Sequence, residues 1–245
     1  MLLLAFDKFG SQTTESTLSL ALDGLRAELG YFIGYGDDVT IYTTKQSSHI
    51  QRHLDTGLRR FYYAPILPNE TEAHQWRFLR PVTTLSTVAS TADYNLPSNF
   101  GHLIGNFTFG TNQAFRMIET TSEQKIRERR QQQSTNGIPR MCAVRPKIFN
   151  PVGGQRFEVL FWPTPDAAYT LTYRYSALPS AVASLTPYPL GGEAHAQTIL
   201  ESCLASAEEE MYGSGGSHSQ RFVACLTASI SFDNKMAPES LGYNG

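Results

Sequence analysis

Arg156-Phe-Glu-Val-Leu-Phe-Trp162 and Tyr169-Thr-Leu-Thr-Tyr-Arg-Tyr175 are the stretches that decide the fold class. In the second, Tyr169, Leu171, Tyr173 and Tyr175 fall on one face and Thr170, Thr172 and Arg174 on the other, the period-2 alternation of a half-buried strand. Pro163-Thr-Pro-Asp-Ala167 between them has the composition of a hairpin connection. Outward toward the N-terminus, Trp76–Pro81, Val82–Val88, Tyr94–Pro97, Phe107–Phe109 and Phe115–Glu119 read as further short strands, with turns at Ser98-Asn99, Gly101 and Asn136-Gly137. Ser122 is the expected N-cap of a polar helix whose tail, Arg127-Glu-Arg-Arg-Gln-Gln-Gln133, has no apolar face and is expected to meet solvent or a partner.

Both ends of the chain change period. Leu18, Leu22, Leu25 and Leu29 mark one stripe of a helix over about Thr14–Leu29, with Gly30 at a capping position. Ile50, Leu54, Leu58 and Phe61 mark a second helix over about Thr44–Tyr62, with Arg59 and Arg60 in its last turn. After Pro179, Pro187 and Pro189, Ile199, Cys203, Ala207 and Met211 recur at four-residue steps until Gly213. Ser217 with Gln220 then has the capping-box spacing for a last helix carrying Phe222, Leu226 and Ile230.

The predicted class is therefore α+β. An antiparallel helical bundle drawn from both chain ends (1–75 and 190–237) carries an inserted antiparallel β-rich module (76–189), and 238–245 is an extended tail. Helices that each own one apolar stripe bury it most economically against one another.

Charge follows the same division. Residues 1–75 carry 6 Lys/Arg against 9 Asp/Glu, 76–189 carry 12 against 6, and 190–245 carry 2 against 7, so a framework at −8 surrounds a module at +6. The net charge of −2 argues against a global field that draws the chain to nucleic acid. The charged fraction of 17% is lean for a soluble domain, which suits a surface partly covered by neighbours. Cys142, Cys203 and Cys225 are too scattered for a disulfide framework or a thiolate metal site, and read as reduced buried thiols of a cytoplasmically made protein. Met1–Phe6 is too short to span a membrane and lacks a basic leader region, so no membrane partner is expected.

Catalytic motifs are not found. No phosphate loop is present, and Gly34-Tyr-Gly36 has Val39 where a dinucleotide fingerprint needs glycine. Gly215-Gly-Ser-His-Ser219 is one residue short of a nucleophile elbow. His49 and His53, at i and i+4, share a helix face. The residues between them, Ile50, Gln51 and Arg52, supply no carboxylate and include a cation, so they read as polar-face histidines, with no metal or cofactor expected. Glu208, Glu209 and Glu210 fan around the helix and are expected to form a solvated acidic face of the framework. Arg127, Arg129 and Arg130 are expected to face a partner. The strand aromatics suit a β core, with stacking on a carbohydrate as the alternative.

Trp76–Pro81, Thr91–Pro97, Arg140–Pro146 ahead of Gln155–Pro163, Tyr169–Tyr175 with Pro179 and Pro187-Tyr-Pro189, and the Ala-rich helix reaching Ala207-Glu208 together resemble tailed-bacteriophage head-to-tail adaptor proteins of the tail tubular protein A, or gatekeeper, type. The likeness runs from about Thr14 to the C-terminus. It implies a non-enzymatic virion protein at the head–tail neck, synthesised in the host cytoplasm and forming a ring, commonly of twelve copies, between the portal protein and the tail or nozzle proteins. Double-stranded DNA would pass through the lumen without specific binding. Pro238, Leu241 and Tyr243 in the extended tail are then the expected portal-docking residues. A β-rich binding module on a helical stalk and a hydrolase with a dispersed site are the two readings from other classes.

Overall fold

The computed structural model describes residues 16–68, 71–110, 117–149 and 151–235. It is a mixed α+β protein with five α-helices among the described residues, and the chain divides into two compact units. One comprises residues 1–76 with 181–245, and the other comprises 77–180.

In the first unit, α1 (Leu22–Ile33) buries Leu22, Leu25 and Leu29 as the stripe predicts. It begins later and ends later than the spacing suggests. Leu18 lies before it and is 71% exposed, and the left-handed stop is Gly34, at φ 92°. Gly30 serves a different purpose. A Cβ there would lie 1.9 Å from the Tyr42 hydroxyl and 2.8 Å from the Gly36 carbonyl, and that hydroxyl donates to Gly36 O at 2.7 Å. Glycine lets the turn after α1 fold back against the helix itself.

Helix α2 (Thr44–Tyr62) has the predicted bounds. Thr43 and Gln46 close a capping box at its start, and Ile50, Leu54, Leu58 and Phe61 are all buried. Helix α4 (Ala196–Tyr212) is buried almost all round from Ala196 to Glu208 and ends at Gly213, which has φ 71°. It packs against α1, α2 and α5 (Ser217–Lys235). Phe222, Leu226 and Ile230 of α5 are buried as expected. Trp76 is buried and donates its indole N–H to the Phe61 carbonyl at 2.8 Å.

In the second unit two sheets enclose one core. The first has the order β1 (Val82–Ser86), β9 (Thr170–Ala177), β3 (Phe100–Phe109). The second has the order β2 (Asp93–Asn95), β7 (Phe157–Trp162), β6 (Met141–Pro146), β4 (Glu119–Thr120). Leu85, Phe100, Phe107, Leu171, Tyr173 and Tyr175 from one sheet meet Cys142, Val159 and Phe161 from the other. Arg77–Leu79, expected within a strand, is a 3-10 turn. Ile118, inside the predicted strand Phe115–Glu119, makes one bridge to Phe107.

The expected hairpin between Arg156–Trp162 and Tyr169–Tyr175 does not form. β7 pairs with β2 and β6, and β9 pairs with β1 and β3, so the intervening segment crosses between sheets. Asn136-Gly137, expected as a turn, is β5, a short parallel pair with β8 (Thr164–Pro165). The alternation itself holds, since Leu171, Tyr173, Tyr175 and Ala177 are buried.

Helix α3 (Glu123–Gln132) starts at Ser122, whose hydroxyl accepts from the Lys125 N–H. It lies on the outer face of the four-stranded sheet, where its one buried side chain, Ile126, packs with Met141, Ala143 and Leu160. Cys142 and Cys203 are buried free thiols, and Cys225 is partly exposed.

Candidate functional site

The three consecutive glutamates of α4 separate as the helix geometry requires, yet they do not make one solvated acidic face. Each is engaged by a different partner, because the end of α4 is flanked by neighbouring elements. Glu208 is 6% exposed. Its Oε2 accepts the backbone N–H groups of Gly216, His218 and Ser219 at 3.0, 3.0 and 3.2 Å, the open first turn of α5. The predicted Ser217 cap is therefore replaced by a carboxylate from the preceding helix, to which the Ser217 hydroxyl also donates. Burial works to raise the Glu208 pKa, but the three N–H bonds outweigh it and hold the carboxyl below the usual range. Glu209 pairs with both terminal nitrogens of Arg60.

Glu210 turns to α2. Arg52 Nη2 lies 2.6 Å from each of its oxygens. His49 Nε2 lies 2.9 Å from Oε1, and His53 Nε2 lies 3.5 Å from Oε2. The two imidazoles approach at 3.1 Å through their Nε2 atoms. The Tyr35 hydroxyl lies 3.0 Å from His49 Nδ1, and the Ser206 hydroxyl 3.2 Å from His53 Nδ1. His53 is thus not a polar-face residue. It is 3% exposed, and burial lowers its pKa despite the pull of Glu210. The i,i+4 histidine pair was legible in the sequence. The carboxylate completing the cluster was not, since it arrives from 157 residues beyond His53 through the packing of α2 on α4.

The arginines of α3 also divide. Arg130 Nη2 donates to the Ala92 carbonyl at 3.2 Å, to the Phe161 carbonyl at 3.0 Å and to Asp93 Oδ1 at 2.7 Å, so it holds the sheet edge. Arg129 lies over the Trp162 ring at 5.7 Å. Arg127 is exposed, with Glu123 4.0 Å away. The β6–β7 connection exposes an apolar tip that sequence reading passed over, with Ile148 and Val152 each 96% exposed and Phe149 63%. A run of apolar residues between Pro146 and Gly153 was the available signal. The strand aromatics Phe161, Tyr169, Tyr173 and Tyr175 are core residues, while Phe157 and Trp162 are half-buried. Pro238, Leu241 and Tyr243 lie outside the described residues.

Residues 29–239, spanning both units, match the SU10 adaptor protein family. The chain belongs to that family. No curated protein matches it. Membership makes the adaptor a bacteriophage structural protein of the head–tail type, a component of the virion. The family is structural and not enzymatic. No helix among the described residues is long and apolar enough to cross a membrane.

Proposed function

We propose that the adaptor is one subunit of a closed ring of twelve that joins the portal protein to the tail or nozzle proteins and extends the DNA channel. The observation that carries this reading is the family match over residues 29–239. On this reading the helices of both chain ends form an antiparallel framework into which the β unit is inserted, and the framework lines the channel. Its exposed acidic groups, among them Glu28, Asp37 and Asp38, suit a wall past which DNA slides. Each Lys or Arg on that wall would add sequence-independent affinity through counterion release.

The β unit then faces partners, offering Arg127 and the apolar tip at Ile148, Phe149 and Val152. A heterologous closed ring fixes its register by bringing unlike patches together, which a framework at −8 and a module at +6 provide. The segment from Pro238 through Leu241 and Tyr243 is the portal-docking element.

Electron microscopy of the purified chain mixed with its own portal at micromolar concentration tests the proposal. A twelve-fold ring on the portal, with the helical unit lining the lumen, is the expected result. A chain that stays monomeric and unbound beside the portal overturns the ring, and a lumen lined by the α3 arginines overturns the assignment of faces.

A further inference from the structure

We propose that His49, His53 and Glu210 form a binding site for a divalent transition-metal ion of the zinc class, one that fastens the end of α4 to α2. The site is independent of the ring assignment.

The case begins with the imidazoles. Helix α2 sets His49 and His53 one turn apart, and their Nε2 atoms lie 3.1 Å from each other. The other nitrogen of each ring is already matched to a hydroxyl oxygen, Tyr35 at 3.0 Å and Ser206 at 3.2 Å. When each Nδ1–H donates to its hydroxyl, both Nε2 lone pairs are left pointing into the same small space. Two acceptors at that separation repel unless something positive lies between them. Metal-ligating histidines donate their far N–H to an oxygen acceptor, commonly a carboxylate, carbonyl or water, which fixes tautomer and ring orientation together; here the Tyr35 and Ser206 hydroxyl oxygens take that place.

Glu210 supplies the charge. A donor atom from each of the three residues lies within 4.8 Å of the others, and the closest approaches of the carboxylate to the two rings are 2.9 and 3.5 Å. Donors about 2.1 Å from a tetrahedral ion sit roughly 3.4 Å apart, so these separations bracket what an ion needs. The ligand set settles the class. Two imidazoles and one carboxylate suit zinc and its neighbours, while magnesium and calcium require oxygen ligands.

Arg52 is the competitor. It is 61% exposed and satisfies both Glu210 oxygens from one nitrogen, so it neutralises the carboxylate while no ion is bound and swings toward solvent at little cost when one is. On the outer side, Thr44, Lys45 and Ser48 join His49 and Arg52 in an open groove. The fourth position therefore falls to water.

The test uses the full chain, stripped with chelator and titrated with zinc chloride by calorimetry and with cobalt chloride by visible absorption. One ion per chain, micromolar or tighter affinity, four-coordinate cobalt bands and a thermal midpoint raised by several degrees in zinc are expected, with magnesium chloride giving none of these. His49→Ala and Glu210→Gln should each weaken zinc binding about tenfold or more, while His102→Ala, on β3, should leave it unchanged. His53 is too buried to carry the test alone. Absence of zinc binding overturns the site, and so does binding that survives both His49→Ala and Glu210→Gln in chains whose circular dichroism is unaltered, since the ion would then lie elsewhere.

Discussion

Gly57 of α2 and Cys203 of α4 meet backbone to backbone. A Cβ built on Gly57 would lie 2.5 Å from the Cys203 Cα and 2.6 Å from its amide nitrogen and its sulfur. The contact is reinforced on either side, where the Ser202 hydroxyl donates to the Gly57 carbonyl at 2.8 Å and the Cys203 thiol reaches the Leu54 carbonyl at 3.8 Å. Two helices come this close only where one contributes no side chain.

Gly57→Ala is therefore expected to destabilise the protein. Alanine favours an isolated helix by about 1 kcal/mol over glycine, but here its methyl meets backbone that cannot yield without moving α4. Overpacking of this kind costs typically 1–3 kcal/mol, occasionally more. The net change is expected to lower the midpoint of urea unfolding. A midpoint that rises would mean helix propensity dominates and the α2–α4 crossing is looser than its geometry indicates.

Glu208 sets a dependence on acid. Its folded pKa lies below the usual carboxylate value because three N–H groups hold the ionised form. A depressed carboxylate contributes stability that is complete above the unfolded pKa, about 4.3, and is lost as pH falls through the folded value. Glu208→Ala should cost about 1–2 kcal/mol at pH 7, the usual worth of a strong N-terminal cap. Because the variant has no carboxylate to protonate, its deficit against the parent should shrink as pH falls below about 5. Parallel unfolding curves at pH 7 and pH 3.5 measure this. An equal deficit at both values would show that the loss comes from packing and not from the charged cap.

These two positions also show how far the sequence was legible. The α2 boundaries were readable because both determinants are local, a Thr43–Gln46 box and a four-residue stripe. The face of β9 was readable for the same reason, since alternation names the buried side regardless of the partner. It does not name the partner. β9 pairs with β1 and β3, at separations from 62 residues (Phe109 with Leu171) to 92 (Val82 with Arg174), so the short polar link to β7 suggested a hairpin that the two-sheet packing overrides. Gly30 and Gly57 carry the same limit. A glycine in a helix looks like a cap or a defect until the side chain or backbone that fills its missing Cβ is in view. The cluster at His49 was half visible, because i,i+4 spacing is local and Glu210 is not.

Removal of the segment after Ala237 tests the docking role proposed for Pro238, Leu241 and Tyr243. Proline disfavours a continued helix, and apolar side chains such as Leu241 and Tyr243 gain by ordering on a partner. The truncated chain should keep the thermal midpoint of the full chain and lose most of its attachment to portal-containing heads, scored by co-sedimentation. Attachment at the full level by a normally folded truncated chain would place the docking surface elsewhere.

The α3 arginines separate structural from interactive roles within one helix. Arg130 makes three hydrogen bonds, two to backbone carbonyls and one to Asp93, so Arg130→Ala should destabilise the β unit by roughly 1.5–3 kcal/mol, the range for bonds to a charged donor. Arg127 is 66% exposed, with the Glu123 carboxylate 4.0 Å away, so Arg127→Glu should change stability by no more than about 0.5 kcal/mol. If the β unit meets an acidic partner through this helix, Arg127→Glu should instead reduce assembly of the neck, and more strongly at low salt, because a rim charge acts through screened, long-range attraction. Unfolding curves and a head–tail joining assay at two salt concentrations read the two effects separately. A stable Arg127→Glu chain that joins heads to tails as well as the parent at both salts removes α3 from the interface, and turns attention to the apolar tip of the β6–β7 connection, where Ile148 and Val152 are exposed.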